Sequence, residues 1–195
     1  ELEAEGYFKP NLRHAAYRIF EVVAMYAAGV YLIWNNYWWL GAFVAGIAQG
    51  RCGWLQHEAG HYSLTGNIKL DRHLQMLIYG VGCGMSGCYW RNQHNKHHAT
   101  PQKLQHDVDL DTLPLVAFLA KIAARARSPL VKLWLRLQCY LFIPVSCLLV
   151  ALGWQPYLHP RHALRTKRKR ELACMALRYV LLFGVVLRGM DHPVW

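Results

Sequence analysis

The sequence predicts an all-α, polytopic membrane protein: a helical hairpin, interfacial or re-entrant helices, and a third span near the C-terminus. Three observations carry this expectation. Apolar residues make up 54% of the 195 residues and charged residues only 17%, against about a quarter in soluble domains. Val22 to Gly50 holds no Asp, Glu, Lys or Arg across 29 residues. Mean hydropathy over the whole chain is only +0.07, so apolar spans must alternate with very polar loops. An aromatic content of 13% excludes a disordered chain.

The uncharged run is too long for one buried helix and short for two spans of about 20 residues each. Trp34-Asn35-Asn36-Tyr37-Trp38-Trp39 resolves it, being a turn signal inside an aromatic belt of the kind found at membrane interfaces. The reading is therefore a hairpin, with helices over about 17–34 and about 37–55. Arg18, Glu21 and Arg51 then lie near the opposite interface, where long side chains snorkel. Residues 1–16 read as a linker and 17–195 as part of a larger membrane domain. A polar segment over 56–73 precedes the apolar run Leu74–Trp90, which contains Gly80, Gly82, Gly84 and Gly87. That run is too broken for a full span and reads as interfacial or re-entrant. Leu113 to Arg127 reads as a surface helix with a basic face. The stretch 131–153 carries Pro144 and reads as a kinked, re-entrant element. The stretch 172–188 reads as the third span.

The net charge is +11, from 22 Lys and Arg against 11 Asp and Glu. The basic residues fall mostly between apolar stretches, as in Arg161, Arg165, Lys167, Arg168, Lys169 and Arg170. This pattern fits membrane-flanking loops and lipid headgroups rather than nucleic acid. It places the basic run and the histidine-rich loops on the cytosolic side. Six cysteines are scattered with no C-x-x-C pair, which fits buried thiols in a reducing compartment. There is no internal repeat.

Eleven histidines are an excess, and five fall into two helically spaced sets. His57 and His61 are at i, i+4; His94, His97 and His98 are at i, i+3, i+4. On helices, each set shares one face. Imidazole is a common ligand of first-row transition metals, so these five are the candidate metal ligands. His14, His73, His159, His162 and His192 are isolated and read as surface or satisfied core residues. His57-Glu58-Ala59-Gly60-His61 also matches the H-E-x-x-H zinc-protease pattern, with Glu58 as general base. Five arranged histidines exceed the three ligands one catalytic zinc needs.

Gly53-Trp54-Leu55-Gln56-His57-Glu58-Ala59-Gly60-His61-Tyr62-Ser63-Leu64 and Trp90-Arg91-Asn92-Gln93-His94-Asn95-Lys96-His97-His98-Ala99-Thr100 resemble the first two histidine boxes of membrane fatty acid desaturases of the front-end (Δ5/Δ6) type. Asp107-Val108-Asp109-Leu110-Asp111 resembles the acidic segment after the second box. The resemblance implies two irons on the cytosolic face of the endoplasmic reticulum membrane, O₂ as oxidant, and a fatty acyl substrate in an apolar tunnel. It implies electrons from cytochrome b5 or its reductase chain, with haem only in that partner. His57, His61, His94, His97 and His98 would be the iron ligands and catalytic residues. Glu58, Asn92, Asp107, Asp109 and Asp111 would support them, and Trp54, Tyr89 and Trp90 would line the tunnel. A lipid hydroxylase on the same scaffold is the near alternative.

Three departures from the family pattern stand out. The family's first box usually has Asp where this chain has Glu58. A third box of the form Gln-x-x-His-His is absent, as is a cytochrome b5 domain. The sequence therefore reads as a fragment, expected to be inactive alone.

Overall fold

The computed structural model describes residues 1–110 and 112–190. The described residues are helical, with no strand. They form two compact units: Glu1–Gly87 together with the chain from His159 onward, and Cys88–Leu158.

In the first unit, α1 (Leu12–Trp34) and α2 (Trp38–Gly60) form the predicted hairpin. Asn11 caps α1 by accepting the His14 N–H at 3.0 Å, so the helix starts inside the segment read as a linker. Asn36 turns the chain at φ 68°, and the Tyr37 N–H closes back on the Leu32 carbonyl at 2.9 Å. The helices meet through small residues. A Cβ on Gly41 would lie 2.7 Å from the Gly29 carbonyl and 2.7 Å from an Ile33 side-chain carbon; glycine permits this approach, as at other close crossings in bilayers. Glu21 sits between Arg18 (2.8 Å) and Arg51 (3.6 Å).

α3 (Ile68–Cys83) and α8 (Lys169–Met190) complete the unit, with the short α7 (His159–Arg165) before α8. Asn67 caps α3. Asp71, fully buried, accepts the Thr65 N–H and Oγ1–H at 3.0 and 2.6 Å and fixes the turn between α2 and α3. α3 ends at Gly84, left-handed at φ 69°. The interruption expected within Leu74–Trp90 thus falls at 84–86, and the apolar run begins inside a helix that starts six residues earlier.

Among the described residues, three helices are long and apolar enough to cross a membrane: α1, the run Pro129–Arg165, and Lys169–Gly189 within α8. α8 contains the stretch 172–188 expected to be the third span, and the run containing 131–153, read as re-entrant, is likewise long and apolar enough to cross. α2 is less apolar, carrying Gln49, Arg51, Gln56, His57 and Glu58, and it packs along α1 as the second arm of the hairpin.

The second unit opens with α4 (Gly87–Ala99). It continues through turns to a short α5 (Ala120–Ala123), α6 (Pro129–Leu149) and a π-helical segment (Val150–Leu158). One expectation is corrected here. No helix covers Leu113–Arg127 beyond α5. Gln138 instead brackets Ala117, accepting its N–H at 3.0 Å and donating to its carbonyl at 2.9 Å, while Thr112 Oγ1 donates to the Val116 carbonyl. Side chains satisfy backbone groups that a helix would otherwise pair. Pro144, where a kink is expected, lies inside α6. The wider π segment carries Pro156, a residue with no N–H and a ring that crowds the carbonyl four residues back. Leu110, Ala117 and Ile122, with Leu104, Leu113 and Leu135 against them, form a small core.

Candidate metal centre

The first histidine set lies on the end of a membrane helix rather than on a separate short one. Polar residues from Gln56 onward extend α2 to Gly60. His57 therefore sits in its last turn and His61 at its cap, with ring centroids 4.6 Å apart. Tyr62 stops the helix at φ 61°. Its hydroxyl accepts from Arg72 Nε at 3.2 Å, and the guanidinium lies over its ring. Glu58 is exposed. Its backbone carbonyl accepts the Ser63 N–H and hydroxyl, so its contact with the following turn is through the main chain.

The second set lies on α4, in the second unit. His94 and His98 share one face, with Nε2 atoms 3.0 Å apart. Two imidazoles bound at a right angle to one ion, at about 2.1 Å each, hold their nitrogens about 3.0 Å apart. In the structure one ring N–H bridges the two nitrogens as a hydrogen bond, and a first-row ion bound by both rings would take the place of that hydrogen. Trp90 stacks on His94 at 4.2 Å and restrains that ring. His97 stands one turn on from His94, ring centroids 6.0 Å apart, and turns to the acidic segment. Its Nδ1 meets Asp107 Oδ1 at 2.9 Å.

Asp107, Asp109 and Asp111 would share a face on extended backbone. The structure corrects this for the first two; Asp111 lies outside the described residues, as does His192. Residues 108–110 form a turn, and the Asp109 N–H donates to Asp107 Oδ1 at 3.0 Å. The two side chains therefore part: that of Asp107 is 1% exposed and that of Asp109 54%. The ligand atoms of His97, Asp107 and Asp109 lie within 4.8 Å of one another. Asp107 spends its oxygens on N–H donors, however, which suits it to orienting a ligand rather than binding an ion. The Asp107 hydrogen bond raises the His97 imidazole above its ordinary value. Burial pushes the Asp107 carboxyl up, but hydrogen bonds from His97, Gln102 and Asp109 outweigh it and the group lies below the usual range. Burial raises Asp109, against the pull of His97.

Asn92 lies on an exposed face of α4. Of the expected tunnel residues, Trp54 is 71% exposed, and Tyr89 and Trp90 are half-buried in the second unit. The cavity of the first unit, about 430 Å³, is lined instead by residues such as Val22, Val30, Leu55, Val81 and Leu182. Arg178, at mid-length of α8, also reaches it, donating to Gln49 Oε1 at 2.9 Å over the Tyr26 ring. A charged residue inside an otherwise apolar span is the signal that marked it; reading 172–188 as plainly apolar passed over it. His159 matches the core reading: it is buried, and its Nδ1 accepts the Ser86 N–H at 2.8 Å.

Residues 34–190 match the fatty acid desaturase family, and the chain belongs to it. Among its curated relatives, an acyl-lipid (8-3)-desaturase of Rebecca salina is 65% identical over 182 residues, covering 93% of this chain and 43% of the relative. One from Thraustochytrium sp is 53% identical over 190 residues, 95% and 43%. A Delta(8)-fatty-acid desaturase of Euglena gracilis is 30% identical over 156 residues, 79% and 36%. The chain thus spans under half the length of these relatives. No solved structure matches it.

Proposed function

We propose that this chain supplies the first two histidine sets of a membrane diiron fatty acyl desaturase of the front-end type. The observation that carries the reading is the pair of helically spaced imidazole sets in a chain of this family, one of them with two Nε2 atoms at 3.0 Å. His57, His61, His94, His97 and His98 would hold the metal. Bound iron would supply the O₂-dependent oxidising power that removes hydrogen from an unactivated acyl chain, which zinc, lacking redox chemistry, does not.

The chain's own residues do the rest. Trp90 limits the rotation of His94, and Asp107 holds the His97 proton on Nδ1. The apolar walls of the α1, α2, α3 and α8 cavity, inside membrane helices, suit an acyl chain and exclude water. Cytochrome b5 or its reductase chain would deliver electrons. The zinc-protease alternative is disfavoured because residues 34–190 match the fatty acid desaturase family and five arranged histidines exceed the three ligands one catalytic zinc needs.

The test grafts this chain in place of the matching segment of the Rebecca salina relative in a yeast host fed polyunsaturated acids. Gas chromatography should show the relative's product, and Ala at any of the five histidines should abolish it. Normal product from His97→Ala would remove that residue from the ligand set.

Both histidine sets and the Arg161–Arg170 run are assigned to the cytosolic face of the endoplasmic reticulum. Cysteines introduced beside Lys103 and Lys167 should both label from the cytosol. Labelling from opposite sides would make 131–153 a crossing helix, leaving the histidine assignment intact.

A further inference from the structure

We propose that Asp107 is a positioning residue that commits His97 to bind metal through Nε2, and that Asp109 has no such part. The assignment rests on the diiron reading above and goes beyond it by separating two carboxylates that the sequence treats alike. Asp107 is delivered to His97 by the loop that follows α4. The Thr100 N–H closes that helix on the Lys96 and His97 carbonyls. The chain then turns through Gln102, left-handed at φ 60°, and the Lys103 carbonyl accepts the N–H groups of His106 and Asp107.

The result is a buried carboxylate with three N–H donors. Oδ1 takes His97 Nδ1 at 2.9 Å and the Asp109 N–H at 3.0 Å; Oδ2 takes the Gln102 N–H at 2.9 Å. An ionised carboxylate only accepts, so the hydrogen shared with His97 belongs to Nδ1. A neutral imidazole carries one ring hydrogen, which leaves the lone pair on Nε2. Which ring nitrogen binds a metal is set by the hydrogen bond the other makes. A carboxylate behind a ligating histidine also raises its basicity.

Asp109 cannot substitute. Its Oδ2 is 3.7 Å from His97 Nδ1, beyond hydrogen-bond reach. The N–H it would need is already given to Asp107.

The experiment uses the chain in lipid nanodiscs with ¹⁵N-labelled histidine rings, metal-free and above the imidazole titration. The His97 signals are assigned by their loss in His97→Asn. The native spectrum should show the Nδ1–H form, unchanged in Asp109→Ala and shifted toward the Nε2–H form in Asp107→Ala. Titration with Fe²⁺ of the Rebecca salina relative carrying this chain as a graft should give an affinity about 10–100-fold weaker for Asp107→Ala and unchanged for Asp109→Ala. An Nε2–H form in the native chain overturns the proposal without recourse to any variant. Equal iron affinity in Asp107→Ala and the native chain also overturns it. If the Nδ1–H form is present and the Rebecca salina relative carrying this chain as a graft binds no iron, the diiron reading falls, and the metal-binding half of this proposal with it.

Discussion

The two units hold their histidines in different ways. In the first, His57 and His61 continue the last turn of a membrane helix, so their placement follows from how α2 packs on α1 and α3. In the second, His97 is held by a carboxylate that returns from a loop ten residues later. Helix packing orients one set, and a hydrogen-bonded turn orients the other. Perturbations should therefore separate: those of the first unit act through steric fit, those of the second through lost hydrogen bonds.

The largest stability effect is expected at the hairpin crossing. Gly41→Ala puts a methyl 2.7 Å from the Gly29 carbonyl and from Ile33 and should cost about 3 kcal/mol, the upper part of the range for overpacking. Gly46→Ala, whose methyl meets nothing within 4 Å, should instead stabilise by about 0.5–1 kcal/mol through helix propensity. Thermal melts in detergent, followed by size-exclusion, compare the two. Equal effects would mean that α1 and α2 do not approach through these glycines.

A smaller loss is expected at Asp71, where Asp71→Ala removes the acceptor for the Thr65 N–H and hydroxyl. An unsatisfied buried donor costs about 1–3 kcal/mol, and the same melts should show a drop in that range. In the second unit, Gln138→Ala strips both bonds from the Ala117 backbone. It should cost about 1 kcal/mol, the low end of the same range, because the two bonds are only part-buried. Hydrogen exchange at the Ala117 amide should accelerate in this variant while the α1–α2 amides remain protected. Acceleration in both places would deny the separation of the two units.

The sequence was most legible where one physical signal decides the structure. Charge-free length and Asn35-Asn36 between aromatics gave the α1–α2 hairpin, and the i, i+3, i+4 spacing gave the shared face of His94 and His98. It was least legible where a side chain competes with the backbone. Alternation of Asp107 and Asp109 suggests one face, but the Asp109 N–H bonded to Asp107 curls the chain and splits them. Leu113–Arg127 has helical composition, yet Gln138, more than ten residues away in sequence, satisfies its backbone at Ala117. Arg178 hid within a run read for its average hydropathy.

The most direct test of the account is the identity and histidine dependence of the bound metal. The Rebecca salina relative carrying this chain as a graft should be purified in detergent after expression with iron and zinc both supplied, and its metals counted by mass spectrometry. The comparison is with the doubly substituted His57→Ala, His97→Ala chain and the single His97→Ala chain. The account predicts that iron predominates in the native chain, falls in His97→Ala, and falls further in the double variant. One zinc per chain, lost with His57 but indifferent to His97, would contradict it and return the H-E-x-x-H reading.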